Sequence, residues 1–194
     1  AEKIKAANLV AVPGCYPTAS ILGLLPVIPY LQQNSKIILD AKSGISGAGK
    51  SSVENGLEEE IKENFKSYNV GFHRHQPEIK DFLKTEFNLD HEIIFIPHLL
   101  PLFRGEYVTL YCEVSQNDLD LNELYESYYE KHKLVRVKEK GEIAEIKEVI
   151  NTFYCDISVS YAFQSNTIVV NSAIDNLLKG AASQAIQCLD IMSS

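Results

Sequence analysis

The residue types and spacings best suited to chemistry are one thiol after a Pro-Gly pair and two imidazoles around an arginine. Cys15 follows Pro13-Gly14 and precedes a segment patterned as a helix. A sulfur at a helix start faces unpaired N–H groups and the positive end of the macrodipole, both of which favour a thiolate. Gly14 has no Cβ and lets backbone come close to a ligand. A thiolate there would attack an acyl carbon; the plainer reading is a small buried cysteine. His73 and His75 lie two apart in 71–79 (G-F-H-R-H-Q-P-E-I). In an extended segment they point to one side. With Arg74 between them they offer an acid/base and anion-binding charge. That they approach Cys15 is an assumption at this stage.

Two further groups need weighing. Residues 44–51 (G-I-S-G-A-G-K-S) fit the G-x-x-x-x-G-K-S phosphate loop and follow an apolar strand pattern. The segment after them, 52–60, is polar and carries Asn55-Gly56, whereas the helix after a true phosphate loop buries one face. No later apolar strand ends in Asp, so an NTPase is not expected. The glycines remain able to offer N–H groups to another phosphate. Arg104, in the loop 97–105 (P-H-L-L-P-L-F-R-G), could bind a carboxylate through both guanidinium arms, or could simply be a surface arginine beside a turn.

The elements that must position these residues follow from the pattern. Strands are predicted at 8–12, 37–41, 70–72, 93–96, 107–114, 135–137, 154–163 and 167–171. Helices are predicted at 18–31, 54–65, 78–87, 121–132 and 175–192. In the last, Leu178, Ala182, Ala185, Ile186 and Leu189 share a face and Asp175 can cap the start. Few β-α-β alternations occur and no G-x-G-x-x-G follows a strand. The expectation is an α+β fold with a mixed, largely antiparallel sheet rather than a dinucleotide-binding sheet. A chain of 194 residues can bury a core without staples. Its net charge of −8 and lack of a basic run argue against nucleic acid. No apolar stretch reaches membrane-spanning length, and the start lacks a signal-peptide core. The missing initiator Met suggests a fragment or processed chain. Four cysteines without paired spacing give no disulfide framework and no zinc site, so cytoplasm is the default.

Five segments then occur together in order: 12–19 (V-P-G-C-Y-P-T-A), 41–50 (A-K-S-G-I-S-G-A-G-K), 73–79 (H-R-H-Q-P-E-I), 97–105 (P-H-L-L-P-L-F-R-G) and 172–187 (S-A-I-D-N-L-L-K-G-A-A-S-Q-A-I-Q). This set resembles the N-acetyl-gamma-glutamyl-phosphate reductases, over nearly the whole chain. The resemblance implies a glyceraldehyde-3-phosphate-dehydrogenase-like catalytic domain, with residues 1–174 carrying catalysis and dimerisation. It implies that the helix at 175–194 packs on an NADP-binding Rossmann domain lying before this region. It implies NADPH-dependent reduction of an acyl phosphate through a cysteine thioester, in a homo-oligomer (dimer or tetramer). Cys15 would be the nucleophile, His73 the first choice of acid/base and His75 the second. Arg74, Arg104, Ser43 and Gly44 would meet substrate, and Gly47, Gly49 and Asn176 the cofactor. Val12, Phe153 and Lys50 depart from the family pattern; Val12 and Phe153 are given no role. A related semialdehyde dehydrogenase, a Cys/His hydrolase and a non-catalytic oligomerisation domain are the competing readings.

Overall fold

The computed structural model describes residues 1–194 apart from Lys50 and Ser52. The phosphate-loop lysine therefore lies outside the described residues. Among the described residues seven strands form one sheet: β1 (Lys36–Gly44), β2 (Lys66–Ser67), β3 (Glu92–Leu100), β4 (Glu106–Glu113), β5 (Val135–Val137), β6 (Cys155–Tyr161) and β7 (Thr167–Ile174). Their order is β2-β3-β1-β4-β7-β6-β5. The β1–β3 and β5–β6 pairs are parallel and the rest antiparallel, giving the mixed sheet that the sequence predicts.

Alternation along the strands makes one face apolar. Ile37, Leu39 and Ala41 of β1 stand opposite Cys112, Leu110 and Val108 of β4, all buried. Helices α2 (Cys15–Leu24), α4 (His75–Phe87) and α5 (Leu121–Tyr129) cover this face and bury Tyr16, Ala19, Ile79, Leu83 and Tyr125 against it. The short helices α1 (Glu2–Lys5), α3 (Glu58–Ile61) and α6 (Ile146–Val149) lie at the margins, and α7 (Ser183–Ser193) ends the chain. The opposite face is half-buried on β1, where Asp40 pairs with Lys42 at 2.6 Å.

Several predicted elements come out differently, for local reasons. Residues 8–12 form no strand; Leu9 is 89% exposed. Residues 70–72 turn instead of extending, because Asn69 (φ 48) and Gly71 (φ 84) take left-handed backbone. The predicted helix at 54–65 breaks at Gly56 (φ 90) and is regular only over α3. The helix predicted from residue 18 starts at Cys15. It tightens after Leu24 into a turn, Leu25–Tyr30, that accommodates Pro26 and Pro29. The final helix opens with a wide turn, Leu178–Ala182, and becomes regular at Ser183. Asp175 Oδ1 still accepts the Leu177 and Leu178 N–H groups there, at 2.9 and 3.0 Å.

Two tyrosines of α5 tie down the far end of α2. Tyr125 Oη donates to the Gly23 carbonyl at 2.6 Å, and Tyr129 Oη donates to the Leu22 carbonyl. Tyr125 is fully buried, so Tyr125→Phe strands a carbonyl that has no access to water through the ring. The expected loss is about 1–2 kcal/mol of unfolding free energy at unchanged denaturant slope. A urea midpoint equal to that of the parent would show that the bond contributes nothing.

Candidate active site

Cys15 is the first residue of α2, capped by Gly14 in extended backbone (φ −65, ψ 168). Pro17 fits the first turn because its nitrogen has no helical acceptor to reach. The Thr18 N–H and hydroxyl both donate to the Gly14 carbonyl, at 3.0 and 2.9 Å. Helix α4 reaches the same point from the other side: Glu78 Oε1 accepts the Gly14 N–H at 3.0 Å.

His75 opens α4, and its ring lies against Gly14. A Cβ at residue 14 would sit 2.4 Å from His75 Nε2, so only glycine permits this approach. His73 stands behind: its Nδ1 accepts the His75 N–H at 3.2 Å. The Tyr16 ring meets both imidazoles edge-on, at 5.7 and 5.8 Å between centroids, and Tyr16 is itself held by Phe95 and the His98 carbonyl. The structure thus brings the cysteine and the two histidines together, with His75 the nearer to Gly14 and the helix start. Burial, then His73, then Arg74 push the His75 pKa down to about 4. Burial and Arg74 lower His73 too. Both imidazoles are neutral near pH 7.

The cysteine differs from the sequence expectation. A helix start favours thiolate, yet burial pushes the Cys15 thiol well up, and the charge of Glu106 adds to that. Glu106 is fully buried, and burial raises its own pKa to about 8. Neither of its oxygens has a hydrogen-bond partner among the described residues. The group it faces is the Cys15 thiol, a weak donor whose contact falls short of a well-formed hydrogen bond. Sequence reasoning missed Glu106. Its signal was a carboxylate in phase with Val108, Leu110 and Cys112 on an alternating strand, an inward position where a charge is costly.

The other predicted residues divide. Ser43 Oγ donates to the Gly44 carbonyl at 3.0 Å. The N–H groups of Gly44, Ile45 and Ser46 donate to the carbonyls of Gly105, Leu102 and Phe103 at 2.8 to 2.9 Å, so they are not free to cradle a phosphate. Gly47 packs on Ser43, and Gly49 ends the turn in open space. Asn176 Oδ1 accepts the Gly105 N–H at 2.7 Å and its amide donates to Ser46 Oγ at 3.0 Å, tying that turn to β4. Arg104 reaches buried Asp175 at 3.4 Å and also donates to Asn151. Arg74 is exposed.

Two measurements follow from this geometry. Gly14→Ala forces the new methyl onto His75 and should cost about 1–3 kcal/mol. Adding His75→Ala should recover most of that loss in a double-mutant cycle, and additive losses would place the clash elsewhere. For Glu106, an unfolded carboxyl ionises above its ordinary 4.5 while the folded one holds its proton to about 8. The unfolded chain then binds fewer protons across that window, so stability falls as pH rises. Glu106→Gln should therefore gain on the parent between pH 5 and 8 in denaturant midpoints. A pH-independent difference would mean that Glu106 is ionised throughout.

Known proteins resemble the chain at both levels. The N-acetyl-gamma-glutamyl-phosphate reductases of Halothermothrix orenii and Thermoanaerobacter sp. are 46% and 42% identical, across 98% of this chain and 56% of each relative. The chain spans about half the length of these curated relatives. Aspartate semialdehyde dehydrogenase II from Vibrio cholerae superposes with a TM-score of 0.77 at 16% identity, over 99% of this chain and 64% of that one. A probable aspartate-semialdehyde dehydrogenase from Pseudomonas aeruginosa gives 0.79 at 14%, over 100% and 66%. At these identities the likeness shows the fold alone, a mixed sheet with flanking helices. Residues 15–176 match the family described as semialdehyde dehydrogenase, dimerisation domain, and the chain belongs to that family.

Proposed function

We propose that this chain is the thiol-bearing part of an NADP-dependent N-acetyl-gamma-glutamyl-phosphate reductase. The observation that carries the reading is the packing of the His75 ring on Gly14, the residue before Cys15, in a chain 42–46% identical to proteins of that name. Cys15 Sγ attacks the acyl-phosphate carbon, the carbon–oxygen bond to phosphate breaks, and a thioester forms on sulfur. NADPH, when bound, supplies the hydride that reduces this carbon. Neutral His75 serves as the N–H donor to the developing alkoxide, in preference to His73, whose Nδ1 is engaged. Backbone N–H groups at the start of α2 add to the oxyanion site. Arg74, exposed beside the imidazoles, is suited to the leaving phosphate. Arg104, anchored on Asp175, positions the loop and leaves part of its guanidinium for a substrate carboxylate.

The residues of this chain fit only the nicotinamide end of the cofactor, through backbone at Gly47 and Gly49, with Asn176 bracing them from behind. A pyrophosphate needs free N–H groups, and those of Gly44 to Ser46 are engaged. A second domain would hold it, docked on the Ile186 and Leu189 face of α7, which is 58% and 60% exposed at those residues. Among the described residues no helix is long and apolar enough to cross a membrane. The reading includes a cytoplasmic homo-oligomer, in keeping with the family's description as a dimerisation domain.

The test is an assay in the dehydrogenase direction on the protein at its natural length. N-acetylglutamate semialdehyde, phosphate and NADP should raise the reduced-nicotinamide absorbance. Cys15→Ser should remove several orders of magnitude of that rate, since an alcohol of far higher pKa replaces the thiol. Faster turnover of aspartate semialdehyde would overturn the substrate assignment. Full activity in Cys15→Ser would overturn the mechanism.

A further inference from the structure

An imidazole that exchanges protons is ordinarily aimed by a hydrogen bond from its second ring nitrogen. Among the described residues His75 makes no such bond: its Nδ1 is buried without a partner, while Nε2 lies on the Gly14 side. Helix α4 fixes the backbone of His75, whose N–H donates to His73 Nδ1, but not the ring. Packing therefore sets the orientation of the imidazole.

Tyr16 supplies that packing. It is 2% exposed, and its ring stands edge-on to His75 at 5.8 Å between centroids with the planes 74° apart. It stands edge-on to His73 as well, at 5.7 Å, and the two imidazoles meet at 4.9 Å. Crossed planes at such spacings are the arrangement that aromatic rings favour. Phe95 of β3 backs the Tyr16 ring at 5.4 Å, and Tyr16 Oη donates to the His98 carbonyl of the same strand at 3.3 Å. Tyr68 Oη donates to that hydroxyl in turn, at 3.5 Å. With the hydroxyl engaged at the sheet, it is the ring of Tyr16, not its proton, that meets the imidazoles. Tyr16 also follows Cys15 directly in the first turn of α2. One rigid side chain thus sets the spacing between the helix that carries the thiol and the helix that carries the imidazole.

We propose that Tyr16 is a positioning residue for His75: its ring, pinned to β3, holds the unanchored imidazole at the start of α2. The proposal rests on His75 serving the Cys15 chemistry of the reductase reading. The competing account is a core tyrosine that only stabilises the fold, and it predicts the same loss whether or not His75 is present.

The test is a double-mutant cycle on the protein at its natural length, assayed with N-acetylglutamate semialdehyde, phosphate and NADP. Tyr16→Leu removes the ring and should lower kcat about tenfold or more with KM within about twofold, because the substrate's own contacts stay in place. Tyr16→Phe keeps the ring and should recover most of that loss. In a His75→Ala background Tyr16→Leu should change kcat by less than about twofold, since no imidazole is left to aim. An equal loss in both backgrounds would overturn the proposal, and so would an unchanged kcat in Tyr16→Leu. Should Tyr16→Leu not fold, Phe95→Leu replaces it, withdrawing the backing of the ring with Tyr16 in place. Its loss of kcat should likewise vanish in the His75→Ala background, and equal losses are equally fatal. A second readout needs no turnover. In protein isotope-labelled at the histidine rings, Tyr16→Leu should displace the His75 resonances. Those of His91 and His132, held by Gln32 and Tyr129, should stay where they are. Unmoved His75 resonances would sink the idea. Displaced ones in a protein without reductase activity would reject the proposed function and leave the hold of Tyr16 on His75 standing.

Discussion

Because α2 lies flat on β4 and β7 and begins at Cys15, its first residue is driven down onto the inner face of the sheet. Everything else in the site adjusts to that contact. Gly180 has to lack a side chain for Cys15 to fit above Ile174, and Gly14 has to lack one for His75 to close over the top. The far end of the helix is fixed by Tyr125 and Tyr129. Helix α4 closes the remaining side through Glu78 and the rings of His73 and His75, which meet each other and Tyr16 edge-on. The result is a half-buried thiol with a buried carboxyl and two buried imidazoles around the start of α2.

In that space the sizes of the competing effects decide the resting state. A helix start stabilises a nearby anion by about 0.3–1 kcal/mol. Burial acts in the opposite direction and can move a pKa by as much as roughly 3–5 units, each worth about 1.4 kcal/mol. Burial wins at Cys15, and Glu106 below it adds a repulsive charge whenever it ionises. The thiol therefore rests protonated although its position on the helix favours the anion. A neutral resting thiol is less exposed to oxidation and stray alkylation than a standing thiolate.

Much of this was legible in the sequence. Alternation disclosed the long inner strands because each has one face on a single core. Cys15, His73 and His75 were picked out by residue type and by the turn signals around them. What failed has common physical roots. Residues 8–12 and 70–72 have strand-like composition, but a strand exists only with a partner, and pairing is not a local property. The helix at 54–65 was broken by one glycine whose left-handed backbone a periodicity count passes over. The Gly-rich loop looked like a phosphate cradle because composition cannot show that its N–H groups are engaged by residues 102–105. Glu106 escaped for the same reason: its strand phase was readable, but the helix start above it comes from 91 positions earlier in the chain.

The two kinds of acid/base group in the site are pushed in opposite directions by the same cause. Burial disfavours charge, so it lowers the imidazole of His75 to about 4 and raises the carboxyl of Glu106 to about 8. Near neutral pH this leaves a neutral imidazole against the start of α2 and a buried carboxyl that holds its proton to about 8. The two sit on different elements, α4 and β4. Burial sets both directions, and at His75 the neighbouring His73 and Arg74 add to it, whereas at Glu106 burial acts against the bond from the Cys15 thiol.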